Sequence, residues 1–481
     1  MVAVALYGVS VLGGFVQDDR RVILGDSSLG KWQGLVYAWT APYYKNDPSA
    51  GAYRPLTSIT LAIDALVFGK QAWGFRLINA LLYGLVCAAV FELGKRMFGG
   101  ETEAFWLALL FTVLPIHTEA VSNIVGRGEI LAGGLVIVAL VSAMDKKWGL
   151  SMLMFFLALL SKESAIVWVM PLGWLLWKSD LRTEKKYGLV MIFVLLFGEY
   201  FLLRWGILGG GIFSDNASMV ENPLKYVSGW ERVRAGIGLV GFGVGKVLLP
   251  IKLSYDYSFS QLKLADLTGM WFVLGTVMVF LFFWLCSRRK KALNWGMAFL
   301  WLPLLVTGNI VKPIGTIFGE RLWFLPSLGV VAIAVYLSKF GLRSLRLSAG
   351  RQVVSAPLAM TFMTLILILF AGRTLVRNLD WLSEEKLFVK DAAYVTESVL
   401  AQNNAAAMYL MKKEPDGARV YLDRAESIYP KYPELMNNWG IYFWQKGDLV
   451  AAEARFRKCL EAYPGNGLCS GNLRDLKMGV K

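Results

Sequence analysis

The chain has 481 residues, of which 56% are hydrophobic and 18% charged, and its mean hydropathy is +0.50. A soluble globular protein of this length does not tolerate that balance, and repeated apolar runs of about 15 to 22 residues predict an all-α, polytopic membrane protein. The formal net charge of +15 would indicate a nucleic-acid partner in a soluble protein. Here the basic residues lie in short loops between apolar runs, so the charge predicts orientation across a membrane and no nucleic-acid binding.

Length and hydropathy predict about eleven membrane spans in the first part of the chain. Their approximate ranges are 2–16, 75–94, 104–118, 128–144, 148–161, 163–177, 187–206, 269–286, 292–308, 322–338 and 354–372. The apolar, glycine-rich stretch 235–251 has two interpretations, a twelfth span or a helix that lies at the membrane interface.

The basic loops favour the second interpretation, because Lys and Arg concentrate on the cytoplasmic side of membrane proteins. With the amino terminus inside, five basic loops all face inside, and they lie within 95–96, 146–147, 178–186, 288–291 and 339–351. A full span at 235–251 would move the loop 288–291 to the outside. We therefore expect an interfacial helix there, and we expect the chain beyond residue 372 on the outer side.

The polar tail, from about residue 395, repeats with a period that is typical of tetratricopeptide repeats. Tyr429-Pro430 and Tyr463-Pro464 mark the same point of two successive units 34 residues apart. The alternative is a plain helical hairpin. We predict a transmembrane domain over 1–378 and a helical domain over 379–481, with two repeats at about 399–432 and 433–466. Two repeats are too few for a self-standing solenoid, so the tail is expected to lean on the membrane domain.

The four cysteines predict packing more than chemistry. Cys87 and Cys286 lie in predicted spans. Cys459 and Cys469 lie outside and are able to pair, but Cys459 occupies a small-residue position of the repeat, which favours a buried thiol. His117 is the only histidine, and no Cys/His cluster has zinc spacing. We predict no metal and no other cofactor.

Two adjacent carboxylates, Asp18 and Asp19, follow the first predicted span at its outer end. Ionisable groups at a membrane boundary are costly, and their default interpretation is functional. Two neighbouring carboxylates resist ionising together, so one of them is expected to have a raised pKa. The alternative is that the pair only marks the polar end of a span.

Further ionisable groups reach the same side on this topology. The candidates are Arg54, His117, Glu119, Arg127, Glu129, Lys162, Glu163 and Arg321. Basic groups at that depth can hold a lipid phosphate as it departs, and a carboxylate can take the proton of an attacking hydroxyl. Together they predict sugar transfer from a lipid-phosphate donor, with carboxylates that stabilise an oxocarbenium-like transition state.

Each of these candidates also has a structural interpretation. His117 has the alternative of a hydrogen-bonded interfacial histidine, and Lys162 that of a lysine that snorkels from a helix end. The acidic and basic groups of the segment 119–129 are able to form internal ion pairs between spans instead of binding a substrate.

Seven segments carry a resemblance to a known family. They are FVQDD (15–19), YRPLTSIT (53–60), GFRLINALLY (74–83), LPIHTEAVSNIVGRGEILAG (114–133), LLSKESAIVWVMP (159–171), PIKLSYDYS (250–258) and ERLWFLPSLG (320–329). With the repeats that follow, the chain resembles the transmembrane and tetratricopeptide-repeat-containing (TMTC) family and its bacterial relatives. These are similar to the protein O-mannosyltransferases, in the GT-C class of membrane glycosyltransferases.

The resemblance implies a GT-C fold and an inverting transfer of mannose or another hexose from a polyprenyl-phosphate donor to a protein hydroxyl. It places the catalytic base at Asp18, with Asp19 beside it, and lipid-phosphate binding at Arg54 and Lys162. Glu129 matches a second acid of the class, and Arg321 matches a basic residue before a late span.

The short tail favours a bacterial member in the inner membrane, with the site and the repeats on the periplasmic side. The implied partners are the lipid-linked sugar, membrane lipids, and a polypeptide acceptor or partner on the repeats. Two other functions stay open. One is sugar transfer to a glycolipid or cell-envelope polymer, and the other is a non-catalytic membrane scaffold that presents the repeats.

Overall fold

A computed structural model describes residues 1–45, 50–210, 217–288, 290–344 and 355–479, without the side chains of 339–344 and 355–360. Every regular element in these ranges is helical. The helices of the first part are α1 (Val2–Tyr7), α2 (Trp32–Thr40), α3 (Pro55–Phe68), α4 (Ala72–Phe98), α5 (Glu101–Thr112), α6 (Thr118–Val121), α7 (Arg127–Met144), α8 (Trp148–Ser161), α9 (Val169–Trp177), α10 (Thr183–Ile207), α11 (Gly229–Leu248), α12 (Leu264–Thr268), α13 (Met270–Ser287), α14 (Lys291–Thr307), α15 (Phe324–Ser344) and α16 (Ser355–Asp380). Those of the tail are α17 (Glu384–Tyr394), α18 (Val399–Met411), α19 (Pro415–Ile428), α20 (Pro433–Gln445), α21 (Leu449–Ala462) and α22 (Gly467–Lys477). Arg289, Arg346 and Arg351 of the predicted basic loops lie outside the described residues.

Six helical stretches of the described chain are long and apolar enough to cross a membrane. They are Ala72–Phe98, Ile124–Met144, Thr183–Ile207, Leu264–Ser287, Glu320–Ser338 and Thr361–Asp380. The pair Glu101–Val113 and Pro115–Val121, bent by 54°, makes a seventh if it is one broken span. The first part of the chain is therefore built as a multi-pass membrane protein. The number eleven stays a prediction, because several predicted spans form helices shorter than the roughly 17 residues that cross a bilayer.

One end of the bundle gathers three of the predicted inside loops. Helix α4 ends at Gly99, whose φ of 72° lets its N–H close the last helical turn. At that end Arg96 pairs with Asp145, in the turn between α7 and α8, at 2.7 Å. In the same turn Lys146 pairs with Asp180 of the next loop at 2.8 Å. The loops that the positive-inside rule places together are thus neighbours in space.

Helix α11, in the stretch with two interpretations, lies against the chain between α14 and α15 along both of its halves. A Cβ at Gly236 would come within 2.6 Å of Ile310, and one at Gly243 within 1.9 Å of the Trp323 ring. The chain that follows α11 returns to its start, where the Phe259 N–H donates to the Val220 carbonyl at 2.8 Å. Helix α11 also packs closely on α13, where a Cβ at Gly241 would come within 2.5 Å of the Trp271 carbonyl, so the interfacial placement stays a prediction.

The tail contains two helical hairpins, α18–α19 and α20–α21, followed by α22. The Asn438 amide donates to Asn403 Oδ1 at 2.9 Å, and 34 residues later the Asn472 amide donates to Asn437 Oδ1 at 2.7 Å. Helix α22 therefore contacts α20 as α20 contacts α18. The assignment as tetratricopeptide repeats stays a prediction, as does the domain boundary at 379, which falls in the last turn of α16.

The tail packs against the bundle through the segment that follows α11. Asp391 accepts a hydrogen bond from the Tyr255 N–H at 2.7 Å, and Ser398 donates to the buried Asp256. Phe259 contacts the Tyr429 ring at 5.2 Å between centroids. The expected support of the tail by the membrane domain is thus present as direct contacts.

Cys459 and Cys469 form a disulfide, with their Cα atoms 6.3 Å apart. The sequence favoured a buried thiol at Cys459, and that preference is wrong in this structure. Both residues are fully buried, because α22 folds back onto α21 and brings Cys469 to the packing position of Cys459. Disulfides persist in oxidising compartments, so this bond agrees with an outer location of the tail.

Candidate active site

A cavity of about 760 Å³ opens at the end of the bundle opposite the paired basic loops. Its walls come from segments that lie far apart in sequence. These include the loop after the first helices, the start of α7, the junction after α8, the end of α10 and the chain between α14 and α15. The ionisable residues that line it are Asp18, Arg21, Arg54, Glu129, Lys162, Glu163, Arg204, Glu221, Lys312 and Arg321. Six of the ten predicted site residues are among them.

The two adjacent aspartates have different surroundings. Asp18 lines the cavity, whereas Asp19 is fully buried beneath the loop. Asp19 accepts hydrogen bonds from the Val125 N–H at 2.9 Å and from the Val16 N–H at 3.2 Å. It joins the opening loop to the start of α7. Asp18 is therefore the carboxylate that faces the cavity, and Asp19 fixes the loop that carries it.

Burial raises the pKa of Asp19 to about 7, against the opposing effects of the Arg76 charge and the backbone N–H donors. A raised pKa at one member of the pair agrees with the expectation from sequence. Its cause differs, since desolvation and not the neighbouring carboxylate is the largest effect.

Two acid–base pairs form one wall of the cavity. Arg54 precedes α3 and pairs with Glu163 through two nitrogens, at 2.6 and 3.0 Å. Lys162, which ends α8, forms an ion pair with Glu129 on the first turn of α7. Each base is therefore held by a carboxylate while it still lines the cavity, and each has donors left for an anion.

Arg321 forms the opposite side, next to Asp18. Its backbone N–H donates to Glu119 at 3.0 Å, and its guanidinium lies 3.4 Å from the same carboxylate and 4.0 Å from Asp18. Glu119 is buried behind Arg321 and does not line the cavity. It orients a cavity residue and does not reach a substrate directly in this geometry.

The structure does not bring His117 and Arg127 to the cavity. His117 is fully buried, with Tyr83 at 2.8 Å on Nδ1 and Ser327 at 2.8 Å on Nε2. Arg127 is fully buried and pairs with Asp64 of α3 at 2.6 Å. Both side chains are used in joining helices, which was their alternative interpretation.

Sequence reasoning passed over several cavity residues. Arg204 sits in the last turn of α10, donates to the Gly51 carbonyl at 2.6 Å and is almost fully buried. A charged residue inside an apolar span was the signal that could have found it. Glu221 and Arg21 come from loops without an apolar context, and nothing in the sequence singles them out.

The charge of the cavity favours anions. Six of its lining residues are Arg or Lys and four are Asp or Glu. The remaining wall is apolar in part and includes Ile166, Phe201 and Leu305. A net positive, partly apolar cavity suits an amphiphile with a phosphate group better than a neutral or cationic ligand.

Within the described ranges, no group of three or more His, Cys, Asp or Glu side chains has the arrangement of a metal site. The prediction that no metal or other cofactor takes part therefore stays a prediction.

Comparisons with known proteins show which proteins the chain resembles in sequence. The sequence profile of the family described as "Dolichyl-phosphate-mannose-protein mannosyltransferase" matches residues 50–200. That range contains seven of the ten predicted site residues, from Arg54 to Glu163. No solved structure is significantly similar to the chain.

Curated relatives extend the similarity over most of the chain. Protein O-mannosyl-transferase TMTC1 of Homo sapiens is 25% identical over 90% of this chain and 55% of its own length. Protein O-mannosyl-transferase TMTC4 of Mus musculus is 26% identical over 80% of this chain and 60% of its own. Protein O-mannosyl-transferase TMTC3 of Mus musculus is 24% identical over 89% of this chain and 50% of its own. The chain spans about half to three fifths of these relatives, and the predicted resemblance to TMTC proteins is confirmed.

Proposed function

We propose that the protein is a membrane glycosyltransferase that moves a hexose, such as mannose, from a polyprenyl-phosphate donor to a protein hydroxyl, with inversion. One observation carries the proposal. Asp18 lies in the same cavity as an excess of cationic side chains, at the end of the bundle away from the paired basic loops. A lipid-phosphate sugar needs this combination of a base, an anion site and access from a membrane.

The proposed roles follow from position. The Asp18 carboxylate takes the proton of the acceptor hydroxyl as its oxygen attacks the anomeric carbon. The bond from that carbon to the phosphate oxygen breaks, and the lipid phosphate leaves with the electron pair. Arg54, Lys162 and Arg321 bind the departing phosphate, and Arg204 adds a fourth cation at the same wall. Glu129 and Glu163 hold two of these bases in place.

The relatives support the donor and acceptor classes. The matched family is described by dolichyl-phosphate-mannose and protein, and the curated relatives are named protein O-mannosyl-transferases. The tail lies at the cavity end of the bundle, where a helical array suits a polypeptide. We place the protein in a bacterial inner membrane with the cavity and the tail on the periplasmic side.

The test uses purified protein in lipid nanodiscs with a polyprenyl-phosphate hexose and hydroxyl-containing peptides. Asp18→Asn keeps the size of the side chain but cannot accept the proton. It should lower the rate of transfer by about a hundred- to ten-thousand-fold, the usual contribution of a positioned base. Asp19→Asn should cost less activity, since Asp19 is buried beneath the loop and does not line the cavity.

The outcomes separate the open functions. Transfer to lipid or glycan acceptors without transfer to peptides would favour the glycolipid or envelope-polymer function. A wild-type protein that transfers no hexose from any such donor would favour the scaffold. Normal transfer by Asp18→Asn would remove the assignment of Asp18 as the base.

A further inference from the structure

The loop that carries Asp18 contains a backbone conformation that is unfavourable for the residue that adopts it. Gln17 has a φ of 52°, in the left-handed region that a residue other than glycine seldom adopts. Such a conformation persists only where the surroundings over-determine it. The question is therefore which groups hold Gln17, the residue directly before Asp18.

The answer lies at the other end of the chain, in the first residue of α17. One carboxylate oxygen of Glu384 accepts the Gln17 N–H at 3.1 Å. The other accepts from the Arg20 guanidinium at 2.6 Å. A single side chain thus holds the residue before the aspartate pair and the residue after it.

Glu384 is itself well fixed. Only 14% of its side chain is exposed, although its partner Arg20 is about half exposed. The Ser383 hydroxyl caps α17 by accepting the Lys386 N–H, which sets the direction of the first helical turn. A carboxylate at a helix start is also favoured by the helix dipole. Glu384 is therefore held in a fixed position by its own helix. We call its two contacts, with the Gln17 N–H and with Arg20, the clamp.

Neighbouring contacts join the same two segments. The Gly14 N–H donates to the Leu382 carbonyl at 2.9 Å, and a Cβ at Gly13 would come within 3.0 Å of the Leu382 backbone. Val16 is fully buried in one apolar cluster with Trp381 and Leu387. The loop before Asp18 is therefore packed on the junction of α16 and α17, and the ion pair of Arg20 with Glu384 joins the other side of Asp18 to α17.

We propose that Glu384 is a positioning residue for Asp18, so that the junction of α16 and α17 is part of the catalytic machinery and not only a support for the repeats. This rests on the function proposed above for Asp18. Glu384 does not line the cavity and touches no reacting atom. It acts by fixing the backbone on both sides of the base.

The experiment is a double-mutant cycle in nanodiscs. Glu384→Ala should lower kcat about ten- to a hundred-fold with little change in KM for the donor, because a base displaced by about an ångström loses that much. Glu384→Gln keeps an oxygen for the Gln17 N–H and should lose less. Glu385→Ala is the matched control, since Glu385 is the next residue and pairs with the exposed Lys412 instead of the loop around Asp18. It should stay within about twofold of the wild type.

The decisive measurement adds Glu384→Ala to Asp18→Asn. If Glu384 works through Asp18, the double variant should have the same residual rate as Asp18→Asn alone. Losses that multiply, or an equal loss in Glu385→Ala, would overturn the proposal.

Hydrogen exchange keeps this test separate from the proposed function. Glu384→Ala should speed exchange in the peptide that contains Gln17, and Glu385→Ala should not, whether or not the protein transfers sugar. Unchanged exchange at Gln17 in Glu384→Ala would overturn the proposal. Faster exchange in Glu384→Ala, together with a wild type that transfers no sugar, would leave the Glu384 clamp standing and reject the proposed enzymatic function.

Discussion

For the pair of Arg54 and Glu163, the direction in which each substitution changes donor binding distinguishes a phosphate site from a structural salt bridge. Arg54→Ala removes a cation from the cavity and also leaves the Glu163 carboxylate without its partner. Glu163→Gln does the reverse, since it releases Arg54 for a phosphate. A substrate-binding arginine and a structural salt bridge therefore predict different patterns for the two single variants and the double variant.

The structure sets the magnitude. The two groups share hydrogen bonds of 2.6 and 3.0 Å, so their charges lie about 4 Å apart, worth about 4 kcal/mol at an effective dielectric constant of about 20. Glu163 is 32% exposed, so solvent reduces this to about half. A donor phosphate bound beyond Arg54 lies about twice as far from Glu163, so an unpaired Glu163 should repel it by about 1 kcal/mol, or roughly five-fold in kcat/KM.

The assay is steady-state transfer from a polyprenyl-phosphate hexose at two salt concentrations. Arg54→Ala should lower kcat/KM for the donor about a hundred- to a thousand-fold, as expected for a lost electrostatic group together with that repulsion. Glu163→Gln should bind the donor at least as tightly as the wild type. The double variant Arg54→Ala/Glu163→Gln should regain about five-fold over Arg54→Ala.

Arg96→Ala is the matched control, because Arg96 makes a similar two-nitrogen pair with Asp145 at the other end of the bundle. It should leave donor kinetics unchanged. Equal losses in Arg54→Ala and Glu163→Gln, with no recovery in the double variant, would refute phosphate binding by Arg54 and leave a purely structural pair.

Three further predictions concern stability. Asp19 has a pKa of about 7 in the folded state against an ordinary 3.8, so between these values the folded state binds a proton that the unfolded state has lost. The free energy of unfolding should therefore fall as pH rises from about 4 to 7. Chemical denaturation of Asp19→Asn should lack this pH dependence. Arg127→Ala leaves Asp64 buried without its partner and should cost about 3–5 kcal/mol by chemical denaturation, with transfer per folded molecule retained; an unchanged midpoint would contradict the buried pair. Cys459→Ser or Cys469→Ser opens a short covalent loop and should lower the stability of the tail by about 2–3 kcal/mol, seen as faster hydrogen exchange in α22; equal exchange with and without reductant would contradict it.

The end of the bundle at which the candidate residues meet was predictable, because loop charge predicts a topology and the topology decides which loops are neighbours. Arg54, Glu129 and Lys162 lie in different loops and still line one cavity. What the sequence could not show was the direction of side chains in irregular segments. His117 is buried among packed helices, and Asp19 is buried beneath its own loop.

The number of spans was harder to predict than the grouping of these loops. Hydropathy measures whether a stretch can enter a bilayer, and it does not measure whether the helix runs far enough to cross it. The stretch 148–161 is apolar throughout, but its helix ends just before Lys162, whose side chain lines the cavity. Arg204 was passed over for the opposite reason, since a single charge near the end of a long apolar helix resembles an ordinary snorkelling residue.

The ion pair of Glu129 and Lys162 has a consequence for how the protein enters its membrane. These residues stand at the open end of the hairpin formed by α7 and α8, whose closed end is the turn around Asp145. On the predicted topology both charges must be carried across the bilayer during synthesis, and each would be costly alone. Brought together, they cross as a neutral pair. The ion pair that lines the cavity therefore also favours insertion of α7 and α8 as one unit. A substitution at either residue would lower the efficiency of membrane insertion, independently of any effect on substrate binding.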